Sequence, residues 1–187
     1  MVLYRKESRK QVGAETMGAK NVVKYREFSV RGMTFRIPAG DYYFNNQDCW
    51  ARIDGSRARV GVADSVQQNA GALIAFDPPR IGLEYSIFDE ICSLSARNTT
   101  IEITSPVTGK LVAVNRDLID APGLMNEDPY ERGWALELEL SDIADDIELL
   151  LGCEQYYNIA KAKLEQGPRA CPCTRQGALY RRPDSSV

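Results

Sequence analysis

The stretch that decides the fold runs from Ser105 to Asn115 and reads SPVTGKLVAVN. Pro106 and Gly109 mark a turn within it, because proline offers no backbone donor and glycine adopts angles that other residues avoid. β-branched and apolar residues stand on both sides of this turn, a composition typical of strands. The pattern predicts one strand from Thr99 to Thr104 and a second from Gly109 to Val114, joined through the turn.

Short segments of the same composition continue in both directions along the chain. Asp54-Gly55 separates two of them and is typical of a tight hairpin, since both residues tolerate positive backbone angles. The further strands that we predict are Lys24 to Val30, Thr34 to Ile37, Cys49 to Ile53, Arg57 to Val62, Ala72 to Phe76, Ile87 to Ser93 and Trp134 to Leu140.

Two stretches have the composition of helices. Asp64 to Gln68 predicts one short turn, and Asp142 to Gln166 carries apolar residues at the period of an α-helix. Gly152 lies inside the longer stretch and predicts a break into two helices, because glycine disfavours a helix interior. The fold class that we predict is therefore mainly β with flanking helices (α+β).

The composition indicates one globular domain. The chain has 187 residues, of which 44% are hydrophobic and 26% are charged. No apolar run approaches the roughly 18 to 20 residues that cross a bilayer, so no membrane association is expected. The opening residues, MVLYRKESRK, lack the apolar stretch of a secretory signal, which favours a cytoplasmic location and reduced thiols. The chain contains no histidine, which excludes enzymes that depend on imidazole.

Charge divides the chain into three parts. Residues 1–36 carry nine Lys/Arg and three Asp/Glu (+6), residues 37–167 carry ten and 22 (−12), and residues 168–187 carry four and one (+3). We predict a basic, flexible arm at 1–24, a folded domain at 25–166 and an irregular tail at 167–187 that contains Cys, Arg and Pro. Few aromatic residues accompany the basic arm, so a solvated or partner-binding arm is favoured over one that reads nucleic acid.

The cysteines offer one motif with chemistry of its own, Cys171-Pro172-Cys173. Two thiols one residue apart form a reactive disulfide or contribute to a site for a soft metal. A tetrahedral zinc site needs two further thiolates, and Cys153 is the nearest candidate. Cys49 and Cys92 lie in predicted strands, where a cysteine acts as a small buried apolar residue.

The region from Asp48 to Leu164 resembles the glycine cleavage system H protein, a lipoyl carrier. Five separated motifs carry this resemblance in the order of the family: residues 49–52 (CWAR), 59–64 (RVGVAD), 105–115 (SPVTGKLVAVN), 122–130 (PGLMNEDPY) and 133–134 (GW). The resemblance implies a lipoyl-type barrel-sandwich hybrid of antiparallel strands with flanking helices.

The lysine that accepts lipoate in this family lies eight residues before the proline of the Ser-Pro-Val-Thr-Gly element. Counting back from Pro106 reaches Asn98, with Ser95, Arg97 and Thr99 as neighbours. The family has an acidic residue where this chain has Ser95, so both the acceptor and its acidic neighbour are absent. An asparagine carboxamide is not a nucleophile and accepts no acyl chain by the ordinary route.

The leading hypothesis is therefore a non-catalytic H-like protein without lipoate, acting as a docking or assembly module for a partner enzyme. A glycine decarboxylase-like protein or a redox enzyme is the expected partner, and no cofactor is expected. The alternative is a redox or metal-binding protein that uses Cys171 and Cys173 on a lipoyl-type scaffold, the identity of any metal being open. A third hypothesis is drift to an unrelated assembly role.

Overall fold

A computed structural model describes residues 23–97, 99–141 and 143–167. The predicted arm and tail lie outside these residues except for residues 23, 24 and 167, and so does Asn98. Within the part of the chain that is described, no helix is both long and apolar enough to span a bilayer.

Eleven strands and five helices make up the described fold. They are β1 (Tyr25–Val30), β2 (Met33–Pro38), β3 (Tyr42–Phe44), β4 (Cys49–Asp54), β5 (Arg57–Val62), α1 (Asp64–Ala70), β6 (Leu73–Phe76), β7 (Glu84–Tyr85), β8 (Glu90–Ala96), β9 (Thr100–Thr104), β10 (Gly109–Val114), α2 (Asp117–Asp120), α3 (Leu124–Glu127), β11 (Leu136–Leu140), α4 (Ile143–Leu149) and α5 (Cys153–Gln166). This order confirms the prediction of a mainly β fold with flanking helices.

All the strand pairs are antiparallel and form three sheets. The largest has the order β3-β4-β5-β11-β10-β7, the second has the order β6-β8-β9, and β1 pairs with β2 alone. β9 and β10 lie where the sequence predicts them, but in different sheets. The turn between them therefore carries the chain from one sheet to the other. Asp146 of α4 fastens this crossing by accepting hydrogen bonds from the Thr108 backbone at 2.5 Å and from its hydroxyl at 3.0 Å.

Apolar side chains from the two larger sheets meet in one core. Val60, Leu111 and Leu138 of the large sheet and Leu94 and Ile103 of the three-stranded sheet are almost completely buried there. Burial of such side chains is the main source of folding free energy. This core holds β8 and β9 against the rest of the molecule.

A second core lies between the β1–β2 hairpin, β3, β4 and α5. Trp50 is fully buried in it, and its ring nitrogen donates to the Val62 carbonyl at 3.0 Å. Gly61 makes room for the indole, because a Cβ at that position would lie 2.7 Å from the ring. Phe44 and Tyr156 stack with ring centroids 4.1 Å apart and attach α5 to β3.

Two strands begin two or more residues later than the prediction places them, and the other predicted strands differ from it by at most one residue at either end. β8 begins at Glu90 instead of Ile87, because a turn closed by the Asp89 amide on the Ser86 carbonyl precedes it. β11 begins at Leu136 instead of Trp134, whose carbonyl accepts a hydrogen bond from the Asn115 side chain. The predicted break at Gly152 is confirmed, since α4 ends at Leu149 and α5 begins at Cys153.

Candidate functional site

The β8–β9 hairpin flanks the position that the sequence singles out. Ser95 pairs with Thr100 and Leu94 with Ile101, while the Ala96 amide donates to the Thr99 carbonyl at 2.8 Å. The Arg97 amide donates to the Ala72 carbonyl at 2.9 Å, which ties the hairpin to the start of β6. Residue 98 lies between these anchored residues in the chain and outside the described part.

The predicted neighbours of Asn98 are brought together on the solvent side of the hairpin. Ser95, Arg97 and Thr99 are exposed, whereas Leu94 and Ile101 are buried. The apolar residues therefore hold the two strands, and the polar residues are available to a ligand or partner. None of the three carries a primary amine that an acyl chain could modify.

The lysines of residues 37–167 lie on other elements. Lys110 is on β10, and Lys161 and Lys163 are on α5. Lys161 forms an ion pair with Glu165 at 3.9 Å, and Lys163 forms one with Asp48 at 2.9 Å. The structure thus places no lysine of this range on β8, on β9 or among the described residues between them.

A polar cluster centred on Asp48 was not predicted from the sequence. The Asp48 carboxylate accepts hydrogen bonds from the Tyr156 hydroxyl and from the Lys163 ammonium group, both at 2.9 Å. Lys163 also donates to the Asn46 carbonyl at 3.1 Å. Burial, and secondarily the Asp48 charge, raises the pKa of Tyr156 well above its ordinary value, so the phenol stays a donor. The sequence gives no signal for this cluster, because Asp48 lies more than 100 residues from Tyr156 and from Lys163.

The backbone explains why an aspartate suits this position. Asp48 has a φ of 63°, in the left-handed region that aspartate tolerates better than most residues do. The turn is closed by the Asn45 side chain, which accepts hydrogen bonds from the backbone amides of Gln47 and Cys49. The carboxylate consequently projects toward α5, where it contacts Lys163.

The three cysteines among the described residues are poor nucleophiles. Burial raises the pKa of Cys49 to about 11 and that of Cys92 to about 12, and it also raises the pKa of Cys153. Cys49 is completely buried, as predicted, while Cys92 is half-buried against the same core. Among the described residues no group of three or more His, Cys, Asp or Glu is placed to hold a metal. Cys171 and Cys173 lie outside those residues.

Comparison with known proteins gives a consistent result. The family model for the glycine cleavage H-protein matches residues 42–163. The chain is 33% identical over 127 residues to glycine cleavage system H protein 4 of Aquifex aeolicus, covering 68% of this chain and 74% of that protein. It is 33% identical over 139 residues to the mitochondrial H protein 2 of Arabidopsis thaliana, covering 74% of this chain and 88% of that protein.

A solved structure confirms the barrel-sandwich fold. The crystal structure of a glycine cleavage system H protein from Mycobacterium marinum superimposes with a TM-score of 0.59 at 23% identity, covering 65% of this chain and 98% of that one. This likeness concerns the fold alone. The family-model match over residues 42–163 and the two relatives lead to one conclusion: the chain belongs to the glycine cleavage H-protein family, whose members are carriers and not catalysts, as the resemblance implied.

Proposed function

We propose that this protein is an H protein without lipoate that docks on a partner enzyme. The observation that carries the proposal is the residue at position 98, an asparagine eight residues before Pro106, where the resemblance implies the acceptor lysine. Lipoylation needs an amine nucleophile at that position, and a carboxamide does not supply one. The proposal therefore keeps the scaffold of the family and omits the swinging arm.

The surroundings of the hairpin support this interpretation. Of the lysines in residues 37–167, Lys163 is engaged by Asp48 and Asn46, and Lys110 lies within a strand of the other sheet. A lipoate ligase that recognises the hairpin tip therefore finds no alternative amine among the described hairpin residues. Ser95, Arg97 and Thr99 offer it only hydroxyl and guanidinium groups.

Docking is favoured by the charge of the folded part. Residues 37–167 carry a balance of −12, and such a surface steers a basic partner toward it at long range. The partner that we propose is a glycine decarboxylase-like protein or a redox enzyme. Contacts at the hairpin would then be made by exposed polar side chains in place of a lipoyl group.

The decisive experiment is intact-mass measurement after incubation with lipoate, ATP and a lipoate ligase. We expect no change in mass, while an H protein that has the acceptor lysine, used as the control, gains one lipoyl group in the same mixture. A gain of one lipoyl group by this chain would overturn the proposal. Binding to immobilised glycine decarboxylase, measured with and without added salt, then tests the docking step, and its expected weakening by salt follows from screening.

A second candidate function is thiol chemistry at Cys171 and Cys173. The observation that favours it is the raised pKa of each of Cys49, Cys92 and Cys153, because it leaves the two tail cysteines as the candidates for a reactive thiolate. Arg169 and Arg175 stand close to them in sequence, and nearby positive charge favours a thiolate. This candidate predicts a disulfide between Cys171 and Cys173 under mild oxidation.

A further inference from the structure

A cavity of about 310 Å³ lies over strands β4, β5 and β11 of the large sheet, and all the residues that line it are charged. They are Arg52, Asp54, Arg57, Arg59 and Glu137. Residues two apart on a strand point to the same face, so Arg52 and Asp54 share one face of β4. The volume is at the lower end of the range for small-molecule sites. The cavity is therefore a polar site of a size that suits a small ligand.

Two arginines stand directly opposite each other in this cavity. Arg52 of β4 is the register partner of Arg59 of β5. Like charges at opposite positions of neighbouring strands repel each other. The Arg52 guanidinium carbon lies 5.6 Å from the centroid of the Tyr42 ring. That of Arg59 lies 5.0 Å from the centroid of the Trp134 ring. These cation–π contacts hold the two guanidinium groups in place before any ligand binds.

The carboxylates next to this pair leave part of its hydrogen-bonding capacity unused. Arg52 contacts Glu131 at 3.4 Å, and Arg59 contacts Glu137 at 3.4 Å. Both distances are longer than the roughly 2.7 to 2.9 Å of a strong charge-assisted hydrogen bond. Glu137 makes its shorter contact, at 2.8 Å, with Arg57. Because a guanidinium group has several N–H donors, Arg52 and Arg59 keep donors for a further acceptor.

Asp54 supplies a negative charge beside the arginine pair. It is exposed and stands opposite Arg57 in the register, but Arg57 donates to Glu137 instead. Within residues 23–97, 99–141 and 143–167, Asp54 forms no ion pair. It follows Arg52 by two residues on β4, a separation of about 6.6 Å along a strand. One small molecule can therefore contact both the arginine pair and the Asp54 carboxylate.

We propose that this cavity binds a free α-amino acid, with its carboxylate between Arg52 and Arg59 and its ammonium group on Asp54. The ligand carboxylate accepts hydrogen bonds from both guanidinium groups and relieves their mutual repulsion. The lining holds three arginines and two carboxylates, and Glu131 and Glu139 lie just outside it. Charges of both signs in similar number suit a zwitterion better than an ion such as phosphate, which is only negative. The inference goes beyond the proposed docking function and does not depend on lipoylation.

Titration of the full chain with L-alanine, followed by two-dimensional NMR, tests this assignment. Trp134 packs against Arg59, so its indole N–H signal should shift with ligand concentration, together with the backbone amides of β4 and β5. Propionate and isopropylamine are the matched ligands, because each has the size of L-alanine and lacks one of its two charged groups. We expect each of them to bind at least about threefold more weakly than L-alanine, since one ion pair is lost.

Two variants separate the roles of the charged residues. Arg59→Gln should weaken the binding of L-alanine and of propionate by at least about threefold, because both ligands carry the carboxylate. Asp54→Asn should weaken the binding of L-alanine and leave that of propionate unchanged, because propionate has no ammonium group. Arg80→Gln is the control and should change neither, since Arg80 is exposed and does not line the cavity.

Three results would overturn the proposal. The first is the absence of any concentration-dependent shift with L-alanine. The second is equal binding of propionate and L-alanine, which would mean a site for anions alone. The third is unchanged binding of L-alanine by folded Arg59→Gln or Asp54→Asn, which would place the ligand elsewhere. The comparison of the three ligands uses the unaltered chain, so it decides the proposal even where a variant does not fold.

Discussion

Asp48 and Lys163 form an ion pair at 2.9 Å that joins the turn before β4 to the helix α5. The two residues are 115 positions apart in the chain, so the pair fixes a tertiary contact and not a local one. Tyr156 adds a hydrogen bond to the same carboxylate. This charged cluster therefore stabilises the packing of α5 against the barrel.

A double-mutant cycle should measure this contact. Asp48→Asn and Lys163→Met are each expected to lower the free energy of unfolding, with a coupling between them of about 0.5 to 1 kcal/mol, the range of partly exposed pairs. Asparagine is chosen because it tolerates the positive φ of Asp48. Urea unfolding followed by tryptophan fluorescence gives the four free energies.

The control for that cycle is Lys161→Met, which breaks a longer pair with Glu165 on the same helix. It should cost less than about 0.5 kcal/mol, since such pairs contribute only a few tenths. Additive effects of Asp48→Asn and Lys163→Met, with no coupling, would show that the ion pair adds no stability.

Gly61→Ala should destabilise the second core. Its Cβ would lie 2.7 Å from the Trp50 ring, and the fully buried indole has no space to move into. Overpacking of this kind costs roughly 1 to 3 kcal/mol. Gly123→Ala is the matched control, because nothing lies within 4 Å of a Cβ there. Thermal unfolding of the two variants should differ clearly, and equal midpoints would contradict the packing argument.

Brief alkylation of the native protein should label Cys171 and Cys173 before Cys49 and Cys92. Burial raises the pKa values of the two barrel thiols to about 11 and about 12, so hardly any thiolate forms on them near neutral pH. Peptide mapping after timed quenching gives the order of labelling. Equal labelling at all four sites would remove the reason to treat the tail thiols as special.

The same experiment has a second informative outcome. If both tail thiols are protected and a chelator restores their labelling, the metal hypothesis is favoured over the redox hypothesis. Cys153 would then be tested by Cys153→Ser, which should abolish the protection if it supplies a ligand.

Restoring the acceptor should restore lipoylation in part. The double variant Asn98→Lys with Ser95→Glu re-creates the amine and its acidic neighbour on a hairpin whose strands are already paired. We expect a fraction of the protein to gain one lipoyl group when ligase, lipoate and ATP are supplied, as measured by intact mass. The single variant Ser95→Glu is the control and should gain nothing. Modification of that control would show that another residue accepts the lipoyl group.

Much of this fold could be predicted from local sequence, and the exceptions have physical causes. β5 and β10 have the bounds that their composition predicts, and the break at Gly152 is confirmed. β3 and β7 have three and two residues, too few for any periodicity to be visible. The sheet to which each strand belongs depends on contacts far along the chain, which no local pattern encodes.

The candidate site likewise has one part that could be predicted from the sequence and one part that could not. Asn98 is found by its spacing to Pro106, and the resemblance identifies this position as that of the lipoate-accepting lysine. The Asp48, Tyr156 and Lys163 cluster needs the placement of α5 against the barrel, and that placement rests on the stacking of Phe44 with Tyr156. An aspartate in a turn or a lysine in a helix does not indicate, from sequence alone, a partner more than 100 residues away.

The alternation of buried and exposed side chains along β8 and β9 has an evolutionary consequence. Leu94 and Ile101 contribute to the core, while Ser95, Arg97 and Thr99 contribute little apolar burial. Substitutions among exposed residues of this kind usually change stability by less than about 0.5 kcal/mol. A lineage can therefore exchange the side chains at this end of the hairpin, and with them its reactive group, without rebuilding the barrel. Selection therefore acts on these positions through the molecules that their side chains contact. The fold is kept while the side-chain chemistry changes.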